Sequence, residues 1–449
     1  MSLYNKKFKA YFTTNYITRG FLIALLSAGA MYLDWFEFIN PLINTILGIL
    51  TFYFLLQADR KIWFWFGFFI GILWFWWISI SFASYGFAWA TPIGVLIIAT
   101  TYGIIFLLLA IFADNANKLL ARLKPSVPYM PSKSSESESL DPNKTLFTLI
   151  VKAIALLLLS YIHPLGFDWF KPELVFTNSY IGIKKWQFAL VLASIILTLY
   201  KKQLLYLFLI LGAYPYTSNF HKIEAVNPTI EVTNFHINVI DKWKPELQQK
   251  HITSVFNTID KAIEDNKSIV ILPESIFALF LNRQPVLMEA LEQRSYKINI
   301  VLGALYFDDN IPRNSTYIFT QGKYKIANKV VLVPFGEANP LPKFMSSWIN
   351  DLFFDGAPDY VADTEPTDYT IHGRTYRNAI CYEACSEPLY EGNPKNMIVI
   401  SNDGWVVPSI EPTQQKILLQ YYSKKYGTTI YHSVNMANSY IIQNGKIIK

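Results

Sequence analysis

Apolar residues follow two regimes along this 449-residue chain. Residues 17–216 are mostly long apolar runs, whereas residues 217–449 carry short apolar runs broken by polar ones. A membrane-crossing helix needs about 20 apolar residues. Runs at 17–33, 41–57, 62–82, 90–113, 145–164, 186–200 and 203–216 are candidates, and 62–82 and 90–113 stay apolar longest. The pattern predicts a transmembrane domain of about seven helices over 1–216 and a separate domain over 217–449. The last two runs are short enough to form one re-entrant pair.

In the second half the period changes. Residues 230–240 alternate and read as a strand, and residues 245–266 repeat apolar positions at helical spacing. Residues 268–272 are wholly apolar, as in a strand buried on both faces. Helix is expected over 282–297, strand over 299–307, and a hairpin from 315–320 to 324–327 across Gln321, Gly322 and Lys323. Strands are then expected at 330–333, 369–376, 396–400, 428–432 and 439–443, with a helix over 411–426 and a turn at Asn444-Gly445. Helix and strand alternate at first and strand then dominates, which predicts a layered α/β domain.

Composition sharpens the first half. Charged residues make up 16% of the chain, against about 25% in soluble domains. Lys6, Lys7, Lys9 and the run at 21–26 imitate a secretion signal, but further spans follow at once, so the run serves as a first helix. Lysine and arginine gather in the amino-terminal tail, at Arg60-Lys61, between 118 and 144, and at Lys201-Lys202; the opposite loops hold Lys171, Lys184 and Lys185. The richer side is cytoplasmic by the positive-inside rule. Seven spans then place 217–449 outside, which in a bacterial inner membrane is the periplasm; an even number, which the short sixth and seventh runs allow, would reverse this. The stretch 125–144 is rich in Ser, Pro and Glu and is expected to be a disordered cytoplasmic loop. The net charge of +6 comes largely from these loops. No basic stripe interleaved with aromatics marks a nucleic-acid partner.

Candidate chemistry sits at predicted strand ends, where α/β sheets place it. Cys381, one of two cysteines, follows a predicted strand. Glu274 follows the apolar strand 268–272 after a proline, where poor solvation raises its proton affinity and suits a general base. Lys329 precedes a predicted strand and offers a fixed cation for a thiolate or an oxyanion. Each also has a plain structural reading: a buried small side chain for Cys381, a helix cap for Glu274, a surface lysine, and a simple turn at Asn402-Asp403-Gly404. Together Glu, Lys and Cys make an acyl-transfer set without histidine.

The words Leu272-Pro273-Glu274-Ser275, the run from Lys329 to Glu337, Ile380-Cys381-Tyr382-Glu383, and the run from Ser401 to Trp405 occur in an order that resembles the nitrilase superfamily. With the multi-span half, the whole chain resembles the apolipoprotein N-acyltransferases, the membrane-bound branch of that superfamily. The resemblance implies an αββα sandwich in the periplasm, with Glu274 as base, Lys329 as oxyanion stabiliser and Cys381 as nucleophile. Glu337, Tyr382 and Glu383 would support them. It implies a ping-pong reaction in which the cysteine takes an acyl chain from a phospholipid, usually phosphatidylethanolamine, as a thioester. The α-amine of a diacylglyceryl-cysteine apolipoprotein then receives the chain. No cofactor or metal is implied. An apolar cluster with Phe344, Met345, Trp348, Leu352 and Phe353 reads either as a packed helix or as a lid that meets lipid.

Three departures accompany the resemblance. The family's final transmembrane helix is expected beyond the last strands, and this sequence ends at Lys449. His432 stands where the family often has arginine, and no role is expected for it. Cys385 lies four residues after Cys381, and a disulfide between them would need special geometry. Two competing readings use the same residues: a membrane-tethered amidase acting on small amides, and an inactive receptor on the same scaffold.

Overall fold

The computed structural model describes residues 13–84, 86–123, 142–216, 226–242, 244–309, 311–334, 336–338 and 360–448. The chain forms two compact units. The first comprises Met1–Ser79, Ala90–Ile162 and Phe170–Thr217; the second comprises Ile80–Trp89, His163–Trp169 and Ser218–Lys449. Two short segments from the apolar half thus belong with the second unit.

The first unit is helical: α1 (Thr14–Trp35), α2 (Pro41–Gln57), α3 (Arg60–Phe75), α4 (Thr91–Leu123), α5 (Pro142–Leu158) and α6 (Lys185–Lys201). Asn40 and Asp59 cap α2 and α3 through side-chain oxygens that accept backbone N–H groups. Helices α1, α3 and α4 pack closely. Gly67 and Gly71 lie one turn apart on α3, and a Cβ on them would come within 2.5 Å of Tyr102 O and 2.6 Å of Ala99 Cα. Small residues at this spacing let apolar helices approach in a membrane. Lys152 is buried but donates to Ala58 O at 2.6 Å, and buried Glu173 pairs with Lys185 at 2.7 Å.

Among the described residues, Thr14–Trp35, Arg60–Ala83 and Ala88–Ala116 are long and apolar enough to cross a membrane. Pro41–Gln57, Leu146–Tyr161 and Leu204–Ala213 are shorter apolar helices. The run expected at 203–216 is a ten-residue 3-10 helix, Leu204–Ala213, not an α-helix. Left-handed Lys202 ends α6 just before it. The expected loop at 125–144 falls mostly outside the described residues, and α5 already begins at Pro142.

The second unit is an αββα sandwich. In the first sheet, β1 (Ile230–Val232), β3 (Ile269–Ile271), β5 (Asn299–Asp308), β6 (Ile311–Thr320) and β7 (Lys323–Asn328) lie in that order, with β4 (Phe277–Phe280) beside β5. In the second, β13 (Lys446–Ile447), β12 (Tyr440–Gln443), β11 (Thr429–Asn435), β10 (Asn396–Asn402), β9 (Arg374–Ile380) and β8 (Asp368–Ile371) follow one another, with β2 (Asn234–Phe235) beside β11. The central pairs β1–β3, β3–β5, β9–β10 and β10–β11 are parallel. Ile271, Val301 and Ile318 of one sheet meet Ile380, Ile398, Ile400 and Tyr431 of the other in a common core. Helices α7 (Pro245–Glu264) and α8 (Pro285–Ser295) cover the first sheet through Val255, Ile259, Met288 and Leu291. Helix α9 (Glu411–Tyr426) packs on β11 and β12.

Four local expectations change. The strand expected over 230–240 breaks at Thr233, whose N–H and hydroxyl donate to Ile271 O while its carbonyl accepts from Ser433; the chain changes sheets there. The strand expected over 369–376 is a hairpin, because His372 and Gly373 adopt φ of +49° and +73°, as a two-residue hairpin turn requires. The helix expected from 282 starts at Pro285, after β4. Residues 330–333 form no strand: the N–H groups of Val330 and Val331 donate to the Glu383 carboxylate instead of to a neighbouring strand.

Candidate active site

Parallel strands bring the candidate residues to one edge of the sandwich. Glu274 lies three residues beyond β3, Cys381 directly follows β9, and Asp403 directly follows β10. Cys381 has φ of +55°, an uncommon conformation for a residue with a side chain. It opens a 3-10 turn, Cys381–Cys385, and its side chain is half-buried. Strain of this kind persists only where neighbours over-determine it, and it gathers at functional sites.

Glu274 and Lys329 are both buried. Lys329 Nζ lies 2.8 Å from Glu337 Oε2 and 3.9 Å from Glu274 Oε1, so its direct ion pair is with Glu337. Asn314, in the middle of β6, joins the two acids: its side-chain amide donates to Glu274 Oε1 at 2.7 Å and to Glu337 Oε1 at 2.9 Å. Its backbone carbonyl accepts from the backbone N–H of Lys329. Glu383 ties the strand before Cys381 to the loop after Lys329. One carboxylate oxygen accepts from Ile380 N–H at 2.7 Å, and the other from Val330 at 2.7 Å and Val331 at 3.0 Å.

Burial raises the Glu274 pKa, and Lys329 pulls it back down only in part. Burial alone would lower Lys329; the carboxylates of Glu337 and Glu274 reverse this and hold it above the ordinary lysine range. Burial and the Glu274 charge push the Cys381 thiol well above its usual value, against Lys329. Both directions favour the protonated form, of the thiol and of the Glu274 carboxyl alike, over a preformed thiolate. Burial also raises Glu383 to about 7, opposed by Lys329 and its three N–H donors.

The structure thus brings together Glu274, Lys329, Cys381, Glu337 and Glu383. Tyr382 is buried, with its hydroxyl turned to Asp168 rather than to these acids. Phe344, Met345, Trp348, Leu352 and Phe353 lie outside the described residues. Cys381 and Cys385 are both free, and Cys385 is buried. His432 is buried in β11 with Nε2 at 2.7 Å from Ser401 Oγ, and burial lowers its pKa to about 3.

Three neighbours escaped the sequence reading. Asn314 had a signal, since asparagine is depleted in strand interiors. Lys242 is buried, donates to Glu274 O at 3.3 Å, and is lowered to about 8 by burial. Glu411, at the start of α9, is buried and acts electrostatically on Asp403, Glu274 and Cys381. Nothing in the local pattern around Lys242 or Glu411 sets them apart from surface charges.

Residues 14–217 match the family model of the apolipoprotein N-acyltransferase integral membrane domain. The apolipoprotein N-acyltransferase of Wolinella succinogenes is 36% identical over 427 residues, covering 93% of this chain and 94% of that protein. That of Helicobacter pylori is 31% identical over 441 residues, covering 94% of each. A CN-hydrolase superfamily protein from Xanthomonas campestris overlays on 49% of this chain and 84% of its own, with a TM-score of 0.37 and 14% identity. A relative alike at this level along almost its whole length shares both the apolar helices and the site-bearing domain, and the chain belongs to the apolipoprotein N-acyltransferase family.

Proposed function

We propose that this acyltransferase works by a ping-pong reaction on Cys381, with a phospholipid as acyl donor and the α-amine of a diacylglyceryl-cysteine apolipoprotein as acceptor. The observation that carries the reading is the placement of Cys381, left-handed at a strand end, beside buried Glu274 and Lys329.

Glu274 takes the thiol proton as Sγ attacks the ester carbonyl of the donor. The oxyanion that forms is held by Lys329, whose charge Glu337 keeps fixed in place. The C–O bond to the lysophospholipid breaks, and its alkoxide leaves with the proton from Glu274. A thioester remains on Cys381. In the second half the neutral amine attacks this thioester, Glu274 takes the amine proton, and the departing thiolate recovers it. A protonated resting thiol suits this order, because the base is needed in each half.

Both substrates are lipids, which accounts for a catalytic domain joined to membrane helices. We place the protein in the bacterial inner membrane; the lysine and arginine distribution puts residues 217–449 in the periplasm where the chain crosses an odd number of times. Phosphatidylethanolamine is the donor to test first. The amidase alternative is not favoured, because a small polar amide needs no membrane half and the relatives above carry the acyltransferase name.

The test is intact-protein mass spectrometry after incubation with phosphatidylethanolamine, beside Cys381→Ala. Gain of one acyl chain, released by hydroxylamine and absent from the variant, supports the thioester. A diacylated lipopeptide should then discharge it. A folded, reduced protein that never gains an acyl chain would overturn the reading.

A further inference from the structure

The residue after the nucleophile is gripped by a segment far away in sequence. Tyr382 O–H donates to Asp168 Oδ1 at 2.9 Å and accepts from Asp168 N–H at 3.2 Å, across 214 positions of chain. The Gly166 carbonyl lies 3.4 Å from the same hydroxyl. The Trp169 and Tyr382 rings stack with centroids 5.7 Å apart and planes 11° from parallel, and the Phe167 ring centroid is 5.4 Å away. Asp168, Trp169 and Tyr382 are all buried. These contacts come from His163–Trp169, which belongs to the second unit although it follows the apolar helix α5 in sequence.

Cys381 needs such a grip. A non-glycine residue at positive φ costs about 1–3 kcal/mol and holds only where its neighbours leave no alternative. Glu383 fixes the backbone before Cys381 by accepting from Ile380 N–H. On the other side, the Tyr382 ring continues from the Cys381–Tyr382 peptide. A ring fixed at its hydroxyl and on its face cannot rotate without breaking both contacts, so the peptide is fixed as well.

We propose that Asp168 is a positioning residue for acyl transfer: through the Tyr382 hydroxyl, and with Trp169 stacked on the ring, it holds the Cys381–Tyr382 peptide in the orientation the nucleophile needs. This rests on Cys381 being the nucleophile. Asp168 bonds to the Tyr382 hydroxyl, and in this proposal it acts through Tyr382.

The experiment measures single-turnover thioester formation on the full-length protein with phosphatidylethanolamine vesicles, by mass spectrometry. The variants are Asp168→Ala, Asp168→Asn, Tyr382→Phe, the Asp168→Ala/Tyr382→Phe double and Cys381→Ala. Displacing a nucleophile by about 1 Å costs on the order of a hundredfold, so Asp168→Ala and Tyr382→Phe should each slow acylation roughly ten- to a hundredfold. The half-saturating lipid concentration should stay unchanged, because a positioning role changes the orientation of the thiol and not the affinity for lipid. The double variant should be no slower than the slower single, as expected when two residues act through one contact. Asp168→Asn keeps an acceptor oxygen and should recover most of the rate.

Losses that multiply in the double variant, or a raised half-saturation at unchanged rate, would overturn the proposal. So would Asp168→Ala at the wild-type rate. If Asp168→Ala does not fold, Tyr382→Phe and Asp168→Asn decide: a wild-type rate for Tyr382→Phe overturns the proposal, and a slow Tyr382→Phe beside a fast Asp168→Asn supports it. Acylation of Cys381→Ala would instead sink the nucleophile assignment, an outcome distinct from a normal Asp168→Ala beside an inert Cys381→Ala.

Discussion

Gly303 and Glu274 touch through their backbones. A Cβ placed on Gly303 would lie 2.6 Å from Glu274 Cα and 2.6 Å from Ser275 N. Gly303 sits in β5, the strand that pairs with β3, so the first sheet leaves room for the Glu274 turn only where it lacks a side chain. Ser275 has φ of +47°, so the turn is already constrained and has little freedom to retreat.

Gly303→Ala should therefore displace Glu274. Overpacking of this kind costs about 1–3 kcal/mol, and with Glu274 as the proposed base its displacement should slow the chemistry more than it weakens lipid binding. The expected result is a lowered melting midpoint and at least a tenfold loss of acylation rate, roughly, by the positioning argument. A variant with full activity and an unchanged midpoint would show that the turn relaxes freely.

Asn314→Ala should move the acid limb of the pH–rate profile. As the proposed base, Glu274 would have to be ionised to accept a proton, and the Asn314 amide is one of the groups that lowers its raised pKa. Removing that donor leaves burial less opposed, so the Glu274 pKa rises further and the acid limb shifts to higher pH. The profile of acylation kcat/KM reports this directly. An unshifted limb would mean that another group controls it.

The Cys381 thiol should respond in opposite directions to its two charged neighbours. The Glu274 charge raises its pKa and the Lys329 charge lowers it. Only the thiolate alkylates. At pH 8, Glu274→Gln should speed iodoacetamide labelling of Cys381 while abolishing acyl transfer, and Lys329→Met should slow labelling. In the wild-type protein labelling should keep rising above pH 9. Fast labelling of the wild-type protein at pH 7 would contradict the protonated resting state.

Lys242 predicts a basic-side change in stability. Burial lowers its pKa from 10.5 to about 8 in the folded protein. Its contribution is then fully present above 10.5 and is lost as pH falls through about 8, because the unfolded chain binds the proton more readily. Against Lys242→Met, wild-type stability should decline by up to about 3 kcal/mol over this window and level off below it. Melting midpoints of the two proteins from pH 7 to 11 measure the difference. Parallel curves across the window would remove the effect.

Much of the site was legible from residue order because its members stand at strand ends. Wholly apolar runs such as 268–272 announce buried parallel strands, and the polar residues just beyond them have to lie at the sheet edge. The strand expected at 330–333 failed for a reason no local pattern carries: its N–H groups found the Glu383 carboxylate, which lies 52 positions away from Val331. The break at Thr233 was equally hidden, since an alternating run does not record which of two sheets each residue joins.

The sequence by itself determined the division into an apolar half and an α/β half, the strand ends that bear Glu274 and Cys381, and the family resemblance carried by their flanking words. These depend on periodicity and on neighbours along the chain. Only the tertiary structure decided that Lys329 pairs directly with Glu337, that Asn314 spans two carboxylates, and that Asp168 reaches Tyr382. Such contacts join residues between 8 and 214 positions apart. Their energy depends on distance and burial in three dimensions, which the order of residues does not encode locally.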